Sequence, residues 1–76
     1  MILPKNISIP SNCFNNCSNL QKVKFDENQV KKVVIGTGAF YGVHDDCIAY
    51  MNKELVNDSS FILPISTTKN MSKYAY

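Results

Sequence analysis

Four apolar positions recur in this chain at one constant offset. Ile9, Cys13, Phe14 and Cys17 are answered in order by Ile35, Ala39, Phe40 and Val43, each shifted along the chain by the same amount. A fixed offset of this length marks a repeat architecture, in which each unit is too small to bury its own apolar face and must lean on the next. The better preserved copy runs from Ile9 to Phe25, with apolar anchors at Ile9, Phe14, Cys17, Leu20, Val23 and Phe25. Its end alternates like a strand: Val23 and Phe25 face one way, Lys22 and Lys24 the other. The second copy centres on residues 36–42 and weakens toward its end. There His44-Asp45-Asp46 stands where the first copy has Ser18-Asn19-Leu20, so its strand must be Cys47–Met51 in shifted register.

The segments between these anchors read as short extended pieces and turns. Met1–Leu3 is a short strand closed by Pro4, which has no N–H for a ladder. Ile7-Ser8-Ile9 is a second extended piece, closed by Pro10. Residues 11–19 are rich in Asn and Ser, poor in helix interiors, so a single tight helical turn fits better than a helix. Val33-Val34-Ile35 is a β-branched run, and Gly36 and Gly38 signal a turn. Residues 52–60 can hold a short turn or helix, and Phe61–Leu63 is a last strand candidate. Ser66 to Tyr76 reads as a polar, basic C-terminal tail or edge cover. The expected core is Ile9, Cys13, Phe14, Cys17, Leu20, Val23, Phe25, Val33, Ile35, Ala39, Phe40, Val43 and Ile48.

Length and composition narrow the function classes. A chain of 76 residues buries only about 60% of its unfolded surface. About three stacked units are usually needed for stability. All eight basic residues are Lys, and the net charge is only +2. Without the bidentate fork of Arg, a nucleic-acid partner is not expected. No apolar run is long enough for a signal peptide or a membrane span, so membrane insertion is not expected either. Three cysteines, an odd number, do not make a complete disulfide framework.

Several residue sets invite a chemical reading. Cys13, Cys17, His44 and Cys47 form a Cys-x3-Cys … His-x2-Cys pattern, two short-spaced pairs of the kind zinc accepts. Against it, the repeat sets Cys13 and Cys17 opposite the small apolar Ala39 and Val43, and free Cys itself packs as a small hydrophobe. His44, Asp45 and Asp46 beside Cys47 are too close in sequence for a recognised nucleophile set, and read better as a solvated loop. Gly36-Thr37-Gly38 lacks the Gly-Lys-Ser/Thr of a phosphate loop and belongs to a turn. Tyrosines favour interfaces. Tyr41, with the outward Lys22 and Lys24, is therefore an interaction candidate. Tyr50, Tyr74 and Tyr76 are further contact residues, with a core-facing placement as the alternative for Tyr50.

These residues resemble the BspA-like, or treponemal-type, leucine-rich repeat family. Its unit is close to Ile-Pro, a few residues, Ala-Phe-x-x-Cys, then x-x-Leu-x-x-Val. Here the first copy shows Ile9-Pro10, Cys13-Phe14-Asn15-Asn16-Cys17 and Leu20-Gln21-Lys22-Val23. The second shows Ile35-Gly36 and Ala39-Phe40-Tyr41-Gly42-Val43, with Val43 in place of Cys and no following Leu. The resemblance covers roughly residues 2–51. It implies a curved solenoid of stacked short strands, a setting on the surface of bacteria or protist parasites, and adhesion or binding to host or matrix proteins, with no catalytic residues and no cofactor.

The expectation is therefore a leucine-rich-repeat-like solenoid segment over residues 1–65, about two and a half units of short β-strands and turns with at most short helical turns, followed by a polar tail over 66–76. The expected function is non-catalytic protein binding, as a fragment or degenerate copy of a larger cell-surface protein; a zinc-stabilised binding domain using Cys13, Cys17, His44 and Cys47 is the alternative. Homo-oligomers through the exposed solenoid ends are a further expectation. The location would be the cell surface or outside the cell within a longer family member, and the cytoplasm for the chain as written.

Overall fold

The computed structural model describes residues 1–76. It contains three short strands and one helical turn: β1 (Lys22–Lys24), β2 (Ile48–Met51), α1 (Lys53–Val56) and β3 (Ser72–Ala75). The strands form one parallel sheet in the order β1-β2-β3. Lys22, Val23 and Lys24 pair with Ile48, Ala49 and Tyr50, which pair in turn with Ser72, Lys73 and Tyr74. Parallel neighbours require a long crossover. Each crossover here is a circuit of mostly irregular chain, and the second, from Ile48 to Ser72, is slightly shorter than the first, from Lys22 to Ile48. Met1–Leu3 lies against the free side of β1. Ile2 bridges Lys24 in parallel, the Lys24 N–H donates to the Met1 carbonyl at 2.8 Å, and the Leu3 N–H donates to the Lys24 carbonyl at 2.8 Å.

The constant offset of the sequence is also a spatial one. Ile9 bridges Ile35 in parallel. The N–H groups of Asn12, Phe14 and Asn16 donate to the carbonyls of Thr37, Ala39 and Tyr41 at 3.1, 2.7 and 2.8 Å. Within each turn the alternate N–H groups close locally: Cys13, Asn15 and Cys17 donate three residues back, as do Ala39, Tyr41 and Val43. Both turns reverse direction at matched left-handed residues, Asn12 and Asn16 in the first, Gly38 and Gly42 in the second. Asn and Gly are the residues that tolerate this conformation. The Phe14 and Phe40 rings stack, with centroids 5.2 Å apart.

The core lies between the sheet and these turns. Leu3, Ile9, Val23, Phe25, Ala39, Phe40, Val43, Cys47, Ala49, Met51, Leu55, Phe61, Leu63, Ile65 and Met71 are buried, with Val33 at its margin. Phe25 meets Phe61 edge-on at 5.8 Å. Helix α1 is a single turn. The Asn52 side chain caps it by accepting from the Glu54 N–H at 2.9 Å, and Leu55 is the residue it buries. Gln29 is the one buried polar side chain. Its Oε1 accepts from the Asn6 N–H at 2.7 Å and its Nε2 donates to the Lys31 carbonyl, tying two loops together.

Several expectations require correction. Cys13 and Cys17 are exposed rather than core. Their equivalents Ala39 and Val43 are buried, because the first turn covers the second, whereas none of residues 1–76 covers the first in the same way. The same end effect leaves Phe14 and Leu20 only half-buried, and Ile35, also expected in the core, is half-buried too. Ile48 stands on the outer face beside Lys22; the inward positions of β2 belong to Ala49 and Met51, preceded by Cys47. Phe61–Leu63 alternates buried, exposed, buried but forms no strand; its continuation at Pro64 makes an isolated antiparallel bridge to Asn70. The third strand comes instead from the expected tail, as β3, with Met71 buried just before it.

Candidate interaction surface

Strand alternation sorts the sheet into two faces. Val23, Ala49 and Met51 point into the core, and Lys22, Lys24, Ile48, Tyr50, Ser72 and Tyr74 point out. Parallel registry then builds columns across the outer face, so that Lys24, Tyr50 and Tyr74 stand side by side. Tyr76, one step beyond β3, joins them. The Tyr50 ring lies 6.0 Å from that of Tyr74 and 6.4 Å from that of Tyr76. Lys22 Nζ lies 5.7 Å from the Tyr50 centroid, within cation–π range. Lys22, Lys24, Tyr50 and Tyr76 line a shallow cleft of about 270 Å³.

Tyr76 is anchored as well as exposed. Its N–H donates to the Met51 carbonyl at 3.2 Å, and its hydroxyl donates to the Phe25 carbonyl. Partial burial raises its phenol above the ordinary value, and the Asp26 and Glu27 carboxylates push the same way. The hydroxyl therefore stays a neutral donor at physiological pH. A row of rigid aromatic rings with lysines along one side supplies contact area at low entropy cost and a positive rim.

Of the interaction candidates, Lys22 and Lys24 lie together on this face. Tyr41 does not. It lines a separate cleft with Ile35, Phe40, Ile62 and Pro64. The pairing of Tyr50, Tyr74 and Tyr76 was not visible from a single offset, because the third row is reached by a shorter circuit than the second. Tyr50 belongs to the outer face, not the core.

The four residues of the zinc pattern are not assembled. Cys13 and Cys17 are exposed and Cys47 is buried, and no cluster of three or more His, Cys, Asp or Glu side chains is positioned to hold a metal. His44 closes the turn before β2. Its Nδ1 accepts from the Asp46 N–H at 3.0 Å, and its carbonyl accepts from the Cys47 N–H at 2.9 Å. Cys47 Sγ lies 3.9 Å from Met71 Sδ. Burial raises the Cys47 thiol above its ordinary value, opposite to what a thiolate ligand or nucleophile needs. No helix is long and apolar enough to cross a membrane.

Comparison with protein-family models, with curated proteins and with solved structures finds no match.

Proposed function

We propose that this chain is a segment of a leucine-rich-repeat-like solenoid of the BspA-like kind and that it binds protein without catalysis. The observation that carries the binding reading is the outer sheet face, where Lys22 and Lys24 flank the Tyr50, Tyr74 and Tyr76 rings. Support for the architecture comes from the parallel rows, which recur at two nearly equal intervals, and from the turn-on-turn hydrogen bonds between the two Phe-centred units. An adhesion role at a cell surface follows from the resemblance of Ile9–Val23 to that family. The absence of Arg supports a protein rather than a nucleic-acid partner. The two free margins of the sheet, Met1–Leu3 and β3, favour self-association as a second mode.

Retention of the purified chain on immobilised extracellular-matrix proteins, measured beside Tyr50→Ala and the Lys22→Glu, Lys24→Glu pair, tests this reading. Loss of retention in both, with the fold intact by circular dichroism, is the expected result. Equal retention of all three proteins would refute the face as the binding surface. Turnover of any substrate that disappears in His44→Ala would refute the non-catalytic reading.

A further inference from the structure

The two turns differ in what lies beyond them. In the first, the N–H groups of Asn12, Phe14 and Asn16 all reach carbonyls of the second. In the second, the equivalent donors are Gly38, Phe40 and Gly42. Gly42 donates to the Ile65 carbonyl at 3.1 Å, but Gly38 and Phe40 donate to no backbone carbonyl. The reason is the path of the second circuit, between β2 and β3. Instead of a third Phe-centred turn it makes a short reversal, with the Ile65 N–H donating to the Lys69 carbonyl and the Met71 N–H to the Leu63 carbonyl. The chain thereby cuts inside the position a third turn would take. Gly38 and Phe40 therefore each keep a backbone donor that no carbonyl of the chain accepts.

Gly38 and Phe40 both line a cleft of about 260 Å³, bounded by Ile35, Tyr41, Ile62 and Pro64. The alternation that aims the Asn12 and Phe14 N–H groups at the second turn, repeated one unit on, would aim those of Gly38 and Phe40 into this cleft. We propose that the cleft binds an extended segment of a partner protein, through two backbone carbonyls two residues apart. The first turn supplies the template. Its corresponding donors take the carbonyls of Thr37 and Ala39, two residues apart, at 3.1 and 2.7 Å. The cleft is the continuation of that turn-on-turn interface by one further rung. No charged side chain lines it, so neutral carbonyls match it better than a charged group. Ile62, 52% exposed on the cleft wall, offers contact to an apolar side chain of the bound segment. This site is independent of the tyrosine face on the sheet.

The experiment titrates an acetylated and amidated peptide with the sequence of residues 35–43 into the full chain labelled with nitrogen-15. That peptide carries the carbonyls which meet the equivalent donors in the first turn. The expected result is movement of the Gly38 and Phe40 amide resonances at millimolar peptide, with those of Asn12 and Phe14 unmoved. Ile62→Glu, at an exposed position, should weaken binding about tenfold, the loss expected for the apolar contact of one side chain. Its retained Asn12 and Phe14 resonances report that the fold is intact. No movement at either amide at several millimolar would overturn the proposal, as would binding unchanged in Ile62→Glu. Sodium acetate reproducing both shifts would also overturn it, in favour of a simple carboxylate site.

Discussion

Asn16 and Gly42 hold the same left-handed backbone conformation at equivalent positions of the two turns, and a Cβ placed on Gly42 would lie 2.5 Å from Asn16 Oδ1. Asn12 and Gly38 repeat the relationship at 2.6 Å. The two units thus divide one requirement between them. Both need a residue that tolerates a positive φ, but only the covered unit must also be without a side chain. A glycine in each copy would satisfy the first demand, while only the second copy needs it for contact.

These contacts order three substitutions by their effect on stability. Gly36 has no positive φ, yet its Cβ would lie 2.2 Å from the Ser11 backbone nitrogen, so Gly36→Ala tests backbone approach alone. Gly42→Ala combines a φ of 84° with backbone atoms of Asn16 at 3.0 Å. Gly38→Ala meets mainly the Asn12 side-chain oxygen, which can rotate away. Gly38→Ala should lose about 1 kcal/mol, the left-handed strain of an L-residue. The other two should lose roughly 2 kcal/mol or more, since packed backbone cannot yield as a side chain can. Urea denaturation midpoints check the order. Gly36→Ala as stable as the parent chain would disprove the close stacking of the two turns.

The thiols should separate into two classes. Cys13 and Cys17 are exposed and Cys47 is buried against Met71. Ellman's reagent should therefore titrate two thiols quickly in the native chain and the third only after urea is added. Three equal rates would place Cys47 at the surface and contradict the inward register of β2. This result bears on what the sequence revealed. The constant offset paired Ile9 with Ile35 and Phe14 with Phe40 correctly in space. It could not tell a covered unit from an uncovered one, because Cys13 and Ala39 look alike as small apolar residues and differ only in having a neighbour above. The outer face was half legible. Lys22 and Lys24 followed from alternation, but Tyr74 and Tyr76 needed a third row that the sequence hides twice. Its circuit is shorter than the one before it, and its inward position carries a lysine where the first two rows carry Val23 and Ala49.

Alkaline pH should destabilise the chain through Cys47 and then Tyr76. Burial raises the Cys47 thiol above its ordinary 9.0, so the unfolded chain gives up this proton first as pH rises. The native state binds more protons across that window, and stability falls with increasing pH. The contribution is whole below the unfolded thiol's pKa and is lost as pH climbs through the folded one. Tyr76 acts in the same sense from its ordinary 10.0 upward. Urea midpoints from about pH 7 to about pH 11 should hold level until near the ordinary thiol range and then decline. Cys47→Ala should flatten the early part of the decline, and Tyr76→Phe the later part. A midpoint that rises with pH through the alkaline range would contradict the sign.

Lys73 ends the sheet from within. It occupies the inward column after Val23 and Ala49, both fully buried, and its ammonium reaches past the core to donate to the Asp58 carbonyl at 3.0 Å and the Phe61 carbonyl at 2.7 Å. The bonds hold the loop after α1 against β3, and an inward charge on an edge strand disfavours the pairing of another strand at that position. Lys73→Met keeps the aliphatic length and removes both effects. Hydrogen bonds to a charged group contribute about 1.5–3 kcal/mol each when buried, and a half-exposed pair falls at the lower end once water competes. Lys73→Met should therefore lower stability by about 1–2 kcal/mol and raise self-association, read by urea denaturation and by sedimentation velocity over a range of concentrations. Lys73→Arg, which retains the charge, should stay as monodisperse as the parent chain. If Lys73→Met were equally monodisperse, the inward charge would have no role in protecting the edge, and the role of Lys73 would reduce to its two hydrogen bonds.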